Sequence, residues 1–342
     1  MHFDFSRVWP LVTFVPWSAL KGPASGAARS CRAEASPRSA DAVAPLDAPL
    51  RPGERAAWWV RALAAIPLPV LYGVAGVLAS VADCLVTRRR EVRSALAQAF
   101  PDLSAEELRS VRRRHSLRRA QVLAETVKAV SFTAEEIRSH VRIVNLEKVQ
   151  AVLARRQSVL LITARQCNWE WMLLALSLDL GYPLDAACEP QAIDWAEREM
   201  TKLRSRFGTR TVAARDLLAD VLRRDGVLRA VVMPADQEPH TAERTHWTRF
   251  LNRDAAFNMD AEEIARITRF PAFFIAMRRL GRGYYELEFL PLPHARQSQP
   301  RGPLTEQCAR LIERQIHAAP EDWLGFHERW QLPDSSTRMA QT

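Results

Sequence analysis

"LITARQCNWEWMLLAL", residues 161–176, holds the decision about the fold. An apolar run climbs to Thr163, a polar knot of residues 164–170 follows, and apolar residues at helical spacing begin. A strand that hands over to a helix through a polar turn is where α/β proteins often set a reacting group. Asn168 is the residue type that caps a helix N-terminus. Glu170 is then a first-turn carboxylate favoured by the helix dipole. The stretch alone admits three readings: an active site, a site turned to another use, or an ordinary helix start.

The flanking sequence extends the same pattern. Strands are expected near 157–163, 184–188, 228–233, 271–277 and 284–290, and helices near 168–180, 192–206, 215–224, 260–268 and 303–317. Such alternation predicts an α/β fold, a mostly parallel sheet flanked by helices. Ahead of it, residues 90–100 and 104–130 have helical spacing, and Ser104 with Glu107 forms a capping-box pattern. Gly208 reads as the stop after the 192–206 helix, with Arg204 and Arg206 near its end.

The first 57 residues differ. "KGPASGAARSCRAEASPRSADAVAPLDAPLRPGE" (21–54) is rich in Ala, Ser, Pro and Arg without a period, and reads as a disordered or low-complexity extension. "ALAAIPLPVLYGVAGVLASVA" (62–82) is uncharged and about as long as the roughly 20 residues a helix needs to span a bilayer. Trp58 and Trp59 flank one end and Arg88–Arg90 the other, which predicts a membrane-associated helix with the following residues on the cytoplasmic side. Pro67 and Pro69 equally suit a broken segment lying in one leaflet. The expected organisation is therefore an extension over 1–57, an anchor over 58–90, an α/β domain over 91–335 and a tail over 336–342.

The formal charge is +9, and the only lysines are Lys21, Lys128, Lys148 and Lys202. Arginine grips phosphate and carboxylate bidentately, so this balance suits an anionic membrane surface or a phosphorylated substrate. The arginines at 109–119 could form a solvated face or lie on anionic lipid. No nucleic-acid motif is present, and an apolar anchor is a poor companion to one. The five cysteines are scattered and odd in number, which argues against a zinc site and a disulfide framework. No glycine-rich nucleotide loop appears, so no cofactor or metal is expected.

Five fragments in order carry a resemblance. "RRREVRSALAQAFPDLSAEE" (88–107), "VLLITARQCNWEWM" (159–172), "LRSRFGTRTVAARDLLADVLRRDG" (203–226), "VVMPADQEP" (231–239) and "PEDWLGFHERWQ" (320–331) resemble successive motifs of the bacterial lipid A biosynthesis acyltransferases. The resemblance implies a lysophospholipid-acyltransferase-like fold. It also implies an inner-membrane enzyme, facing the cytoplasm, that moves a fatty acyl chain from acyl carrier protein or coenzyme A thioester to a hydroxyl of a glycolipid or phospholipid.

The family signature is a histidine and a carboxylate spaced H-x-x-x-x-E or D, in which the histidine deprotonates the acceptor hydroxyl. Glu170 matches the carboxylate, and Arg165 stands at the histidine position. Arginine keeps its proton at neutral pH and cannot serve as that base. Beside Glu170 it would form an ion pair or bind an anion. By the same resemblance Asn168, Trp169, Arg206, Asp236, Gln237, His327 and Arg329 are substrate-binding candidates. His240 and His246 could stand in for a lost base. Two further departures are Asp260, near an expected glycine, and Gly325, at the second tryptophan of the terminal W-x-W-x-H-x-R-W motif. The resemblance thus leaves two functions open: acyl transfer by another route, or a degenerate member that binds lipid or acyl carrier protein.

Overall fold

Alternate residues of the run 159–163 face opposite sides of one sheet and enter two separate cores. Val159 and Leu161 join Trp171, Leu173 and Val232 on one side. Leu160 and Ile162 join Val231, Ile264 and Ile312 on the other. All five residues are buried, as expected of a central parallel strand covered on both faces.

The computed structural model describes residues 56–85, 89–237, 239, 244–295, 298 and 300–325. The described elements begin with α1 (Trp58–Ala65), α2 (Leu68–Leu85), α3 (Arg89–Ala99), α4 (Ala105–Ala129) and α5 (Ala134–His140). Then come β1 (Val141–Val144), α6 (Glu147–Ala154), β2 (Val159–Thr163), α7 (Trp169–Asp179), β3 (Leu184–Cys188) and α8 (Asp194–Ser205). They continue with β4 (Arg210–Ala213), α9 (Leu217–Arg223), β5 (Ala230–Pro234), β6 (Thr245–Phe250), β7 (Arg253–Asn258) and α10 (Asp260–Thr268). The series closes with β8 (Ala272–Gly281), β9 (Tyr284–Pro291) and α11 (Pro303–Ala318).

Seven strands form one sheet in the order β1-β9-β8-β2-β5-β3-β4. Strands β8, β2, β5, β3 and β4 run parallel, while β9 is antiparallel to β8 and β1 parallel to β9. The mostly parallel α/β sheet flanked by helices is as the alternation predicts. Beside it, β6 and β7 form a separate two-stranded hairpin.

The connections locate a crevice. From β2 the chain passes through α7 to β3, beyond β5. From β5 it passes through the hairpin and α10 to β8, beyond β2. The two crossovers leave in opposite directions, so the gap between the carboxyl ends of β2 and β5 is a topological switch point, where α/β folds bind ligands.

Among the described residues, no single helix is long and apolar enough to cross a membrane. The pair 58–65 and 68–81 meets that composition together but bends by 102°. The break falls at Pro67, which cannot donate to the preceding turn. Lys128 Nζ donates to the carbonyls of Ala64 (2.8 Å) and Ile66 (3.2 Å), satisfying acceptors at that break.

Candidate functional site

Beyond Thr163 the paired strands continue for one more hydrogen bond, from Ala235 N to the Thr163 carbonyl at 2.8 Å. This brings Arg165 and Asp236 face to face across the switch point. The Asp236 carboxylate accepts from the Arg165 backbone N–H (3.1 Å) and from its Nε (3.4 Å), and Arg165 Nη2 donates to the Asp236 carbonyl at 3.2 Å. Asp236 is 1% exposed.

A short segment near the carboxyl end of the described chain closes over the turn. Gln166 and Trp323 make an antiparallel bridge. Cys167 N donates to the Asp322 carbonyl, and Leu324 N to the Arg165 carbonyl, both at 2.9 Å. Trp323 is fully buried, and its indole Nε1 donates to Asp236 Oδ2 at 3.0 Å. Cys167 sits at φ 58°, a left-handed conformation costly for a side-chain-bearing residue. The Cys167 N–H and the Arg165 carbonyl, on either side of Gln166, are the two groups that bond this strap. Burial pushes the Cys167 thiol well above its ordinary range, so it is a packing group and not a ready nucleophile.

Asn168 caps α7 as its type predicts, its Oδ1 accepting from Trp171 N at 3.1 Å. Glu170 follows in the first helical turn. Its partner is Arg204, at the last turn of α8, and not Arg165. Arg204 Nη2 lies 2.7 Å from Oε1, and its Nε lies 3.0 Å from Oε2. Both residues are buried, and the guanidinium lies over the Trp169 ring, 4.6 Å from its centroid. Burial acts most strongly and lowers the Arg204 pKa, but the charge and hydrogen bonds of Glu170, together with Cys188 and Glu197, outweigh it and the net direction is up.

The remaining candidates separate. Arg206 donates Nη1 to the Ala129 carbonyl at 2.8 Å and stacks on Phe207. Gln237 lines a small hollow with Ala187, Met233, Asn258 and Asp260, beside the carboxyl ends of β3 and β5. Asp260 opens α10 and pairs with Arg244 at 3.2 Å. His246 lies 2.8 Å from Glu306 at the start of α11. His240, His327 and Arg329 lie outside the described residues. Within the 109–119 arginine run, Arg114 pairs with Glu321 at the surface (3.1 Å) and Arg118 with the buried Asp322 (3.4 Å).

Gly325 has a steric reason. A Cβ there would stand 2.8 Å from two atoms of the Trp323 ring, closer than carbon atoms pack. The tryptophan-to-glycine departure thus makes room for the Trp323 orientation that reaches Asp236.

The arrangement fixes two guanidiniums against two buried carboxylates at a helix N-terminus. Such a site can stabilise a developing oxyanion or hold an anionic group. Neither arginine can take up a proton. Among the described residues no imidazole contacts Glu170, and no group of three or more His, Cys, Asp or Glu could hold a metal ion. The sequence does not mark Arg204 or Trp323 as site residues. "RSR" at 204–206 gives no sign of which arginine turns inward; only the register of α8 decides.

A doubly wound α/β protein with a carboxylate-bearing strand–turn–helix at its switch point is the class that fold and site define. The description of the bacterial lipid A biosynthesis acyltransferases matches residues 55–332, and the chain belongs to that family. Among curated proteins, none matches the chain.

Proposed function

We propose that this chain is a membrane-associated acyltransferase. It moves a fatty acyl chain from an acyl carrier protein or coenzyme A thioester to a hydroxyl of a glycolipid such as a lipid A precursor. The observation that carries the reading is Glu170 and Asp236 held at the switch point of a family fold, each against a fixed guanidinium. In the reaction the acceptor oxygen bonds to the thioester carbon, the C–S bond breaks, and the hydroxyl proton ends on the departing thiol. Arg165 and the N-terminus of α7 bring positive charge to the tetrahedral oxyanion. With no neutral imidazole at 165, a phosphate of the acceptor relays the proton. Asn168, Trp169, Asp236, Gln237 and Arg206, with His327 and Arg329 of the terminal motif, line the path of donor and acceptor. The bent pair α1–α2, with Val70, Val74, Val77 and Val81 exposed, seats the protein on the inner membrane with its α/β domain in the cytoplasm.

One observation favours a second reading. Glu170 is already engaged by Arg204, and Arg165 has Asp236 as its partner. This supports a degenerate member that binds lipid or acyl carrier protein without transfer. The test is acyl transfer by the purified full-length protein, with carrier-protein and coenzyme A thioesters and a phosphorylated glycolipid acceptor, read by mass spectrometry. Transfer by the native chain carries the first reading. An inert native chain whose Arg165→His variant gains transfer carries the second. An inert chain whose removal leaves cellular lipids unchanged sinks the enzyme reading.

A further inference from the structure

Helix α4 holds one fully buried carboxylate, Glu125, near its C-terminal end. Oε1 accepts from the Tyr72 hydroxyl at 2.8 Å and from Arg279 Nη2 at 3.1 Å. Oε2 accepts from Asn168 Nδ2 at 2.9 Å and from the Tyr285 hydroxyl at 2.6 Å. A carboxylate offers about four lone-pair sites, so its acceptor capacity is full. Each donor comes from a different place: α2, β8, the turn before α7, and β9. The Glu125 carbonyl also takes the Trp171 indole N–H at 3.0 Å. Burial, and then the Glu125 charge, push the Tyr285 hydroxyl well above its usual range, which keeps it a donor.

Asn168 is thereby held by both ends of its amide. Oδ1 caps α7, and Nδ2 reaches Glu125. Moving Glu125 would move the cap, and with it the first turn that carries Glu170. At the other end stands Tyr72. It lies on the inner face of α2 with Ala75 and Leu68, while Val70, Val74 and Val77 of the same helix are about half exposed. The fit around Tyr72 is close. A Cβ on Gly283, which sits at φ 73°, would stand 2.7 Å from the Tyr72 oxygen.

We propose that Glu125 is a positioning residue that couples the lipid seat of α2 to the geometry of the Arg165–Glu170 turn. Lipid that holds α2 down holds Tyr72 on Oε1. That steadies the carboxylate whose other oxygen anchors Asn168. The proposal rests on the membrane seat given above for α1 and α2, and it needs no turnover to be tested.

The experiment is amide hydrogen exchange on the full chain, with and without vesicles of phosphatidylethanolamine and phosphatidylglycerol. In the native protein, vesicles slow exchange over 58–81 and also, at least fivefold, over 164–172. Tyr72→Phe keeps the first protection and loses the second, and Gly283→Ala does the same by displacing the hydroxyl. Tyr285→Phe removes an equally direct bond from the sheet side; it loosens the turn with or without lipid and keeps the vesicle response. A merely structural role would move exchange equally in both conditions. Native protection over 58–81 without any over 164–172 overturns the coupling, whatever the variants do. So does an intact vesicle response in both Tyr72→Phe and Gly283→Ala. Native protein that binds no vesicles removes the membrane seat itself, and the coupling with it.

Discussion

Arg204 grips both oxygens of Glu170 from the far end of α8, at 2.7 and 3.0 Å, with both side chains buried. Removing one member of such a pair leaves a buried charge alone, which costs about 3–5 kcal/mol. Glu170→Ala and Arg204→Ala are each expected to lose stability on that scale in urea unfolding. The double variant Glu170→Met/Arg204→Met is expected to recover most of it. Lost activity in Glu170→Ala therefore counts as evidence about chemistry only where the variant is shown to be folded. Recovery absent from the double variant would mean that the pair is not what holds this corner.

The guanidinium at 165 adds no limb of its own to the pH response. A guanidinium keeps its proton throughout the neutral range, whereas an imidazole titrates near 6.5. Any transfer by the native chain is expected to show no imidazole limb assignable to residue 165. Arg165→His is expected to introduce one, with a rate gain of roughly 10²–10⁴ if its imidazole acts as base. The new ring would stand by Asp236, the present partner of Arg165. Asp236→Asn in the Arg165→His background is accordingly expected to abolish the gain. pH–rate profiles of the three proteins read the result.

Gly325 is a second lever on the turn. A side chain there collides with Trp323, whose indole holds Asp236. Gly325→Ala is expected to speed amide exchange at Cys167 and Leu324, the two amides that bind strap to turn, by tenfold or more. Exchange that stays at the native rate would show that the Trp323 ring can move aside freely.

Asp322 gives a pH dependence of unusual sign. Burial raises its pKa above the ordinary carboxylate range, only partly offset by Arg279 and Arg118. The folded state therefore binds this proton more tightly than the unfolded chain does. The resulting stabilisation is full below the unfolded pKa, near 4, and is lost as pH rises through the folded value. Asp322→Asn, neutral throughout, is expected to be more stable than the native chain near pH 7, with the difference shrinking toward pH 4. Urea unfolding at both ends of that window measures it. A variant less stable at neutral pH would show that the two arginines outweigh burial.

The central strands were legible because their apolar runs are bounded and repeated. The missed strands are those whose signal is short or irregular. Strands β1 and β4 are four-residue edge segments, too short for alternation to declare itself. The β6–β7 hairpin turns through Leu251 and Asn252, both at positive φ, without the glycine that usually marks such a turn. At the site, Asn168 and Glu170 were readable because their roles are local to one helix start. The partners were not. Arg165 was expected beside Glu170, yet strand pairing sets it on Asp236, while Arg204 arrives from another helix. Glu125 shows nothing in sequence, because its four donors come from separate elements.

The strap formed by residues 322–324 ties the site to the order of synthesis. Every strand of the sheet leaves the ribosome before Trp323 does, and domains fold as their chain emerges. The sheet can thus assemble while the turn at Arg165 still stands uncovered, with Asp236 lacking its indole partner. The site closes only after every strand of the sheet has been made. A chain cut short before Asp322 would keep most of its architecture and never complete the one place where that architecture converges.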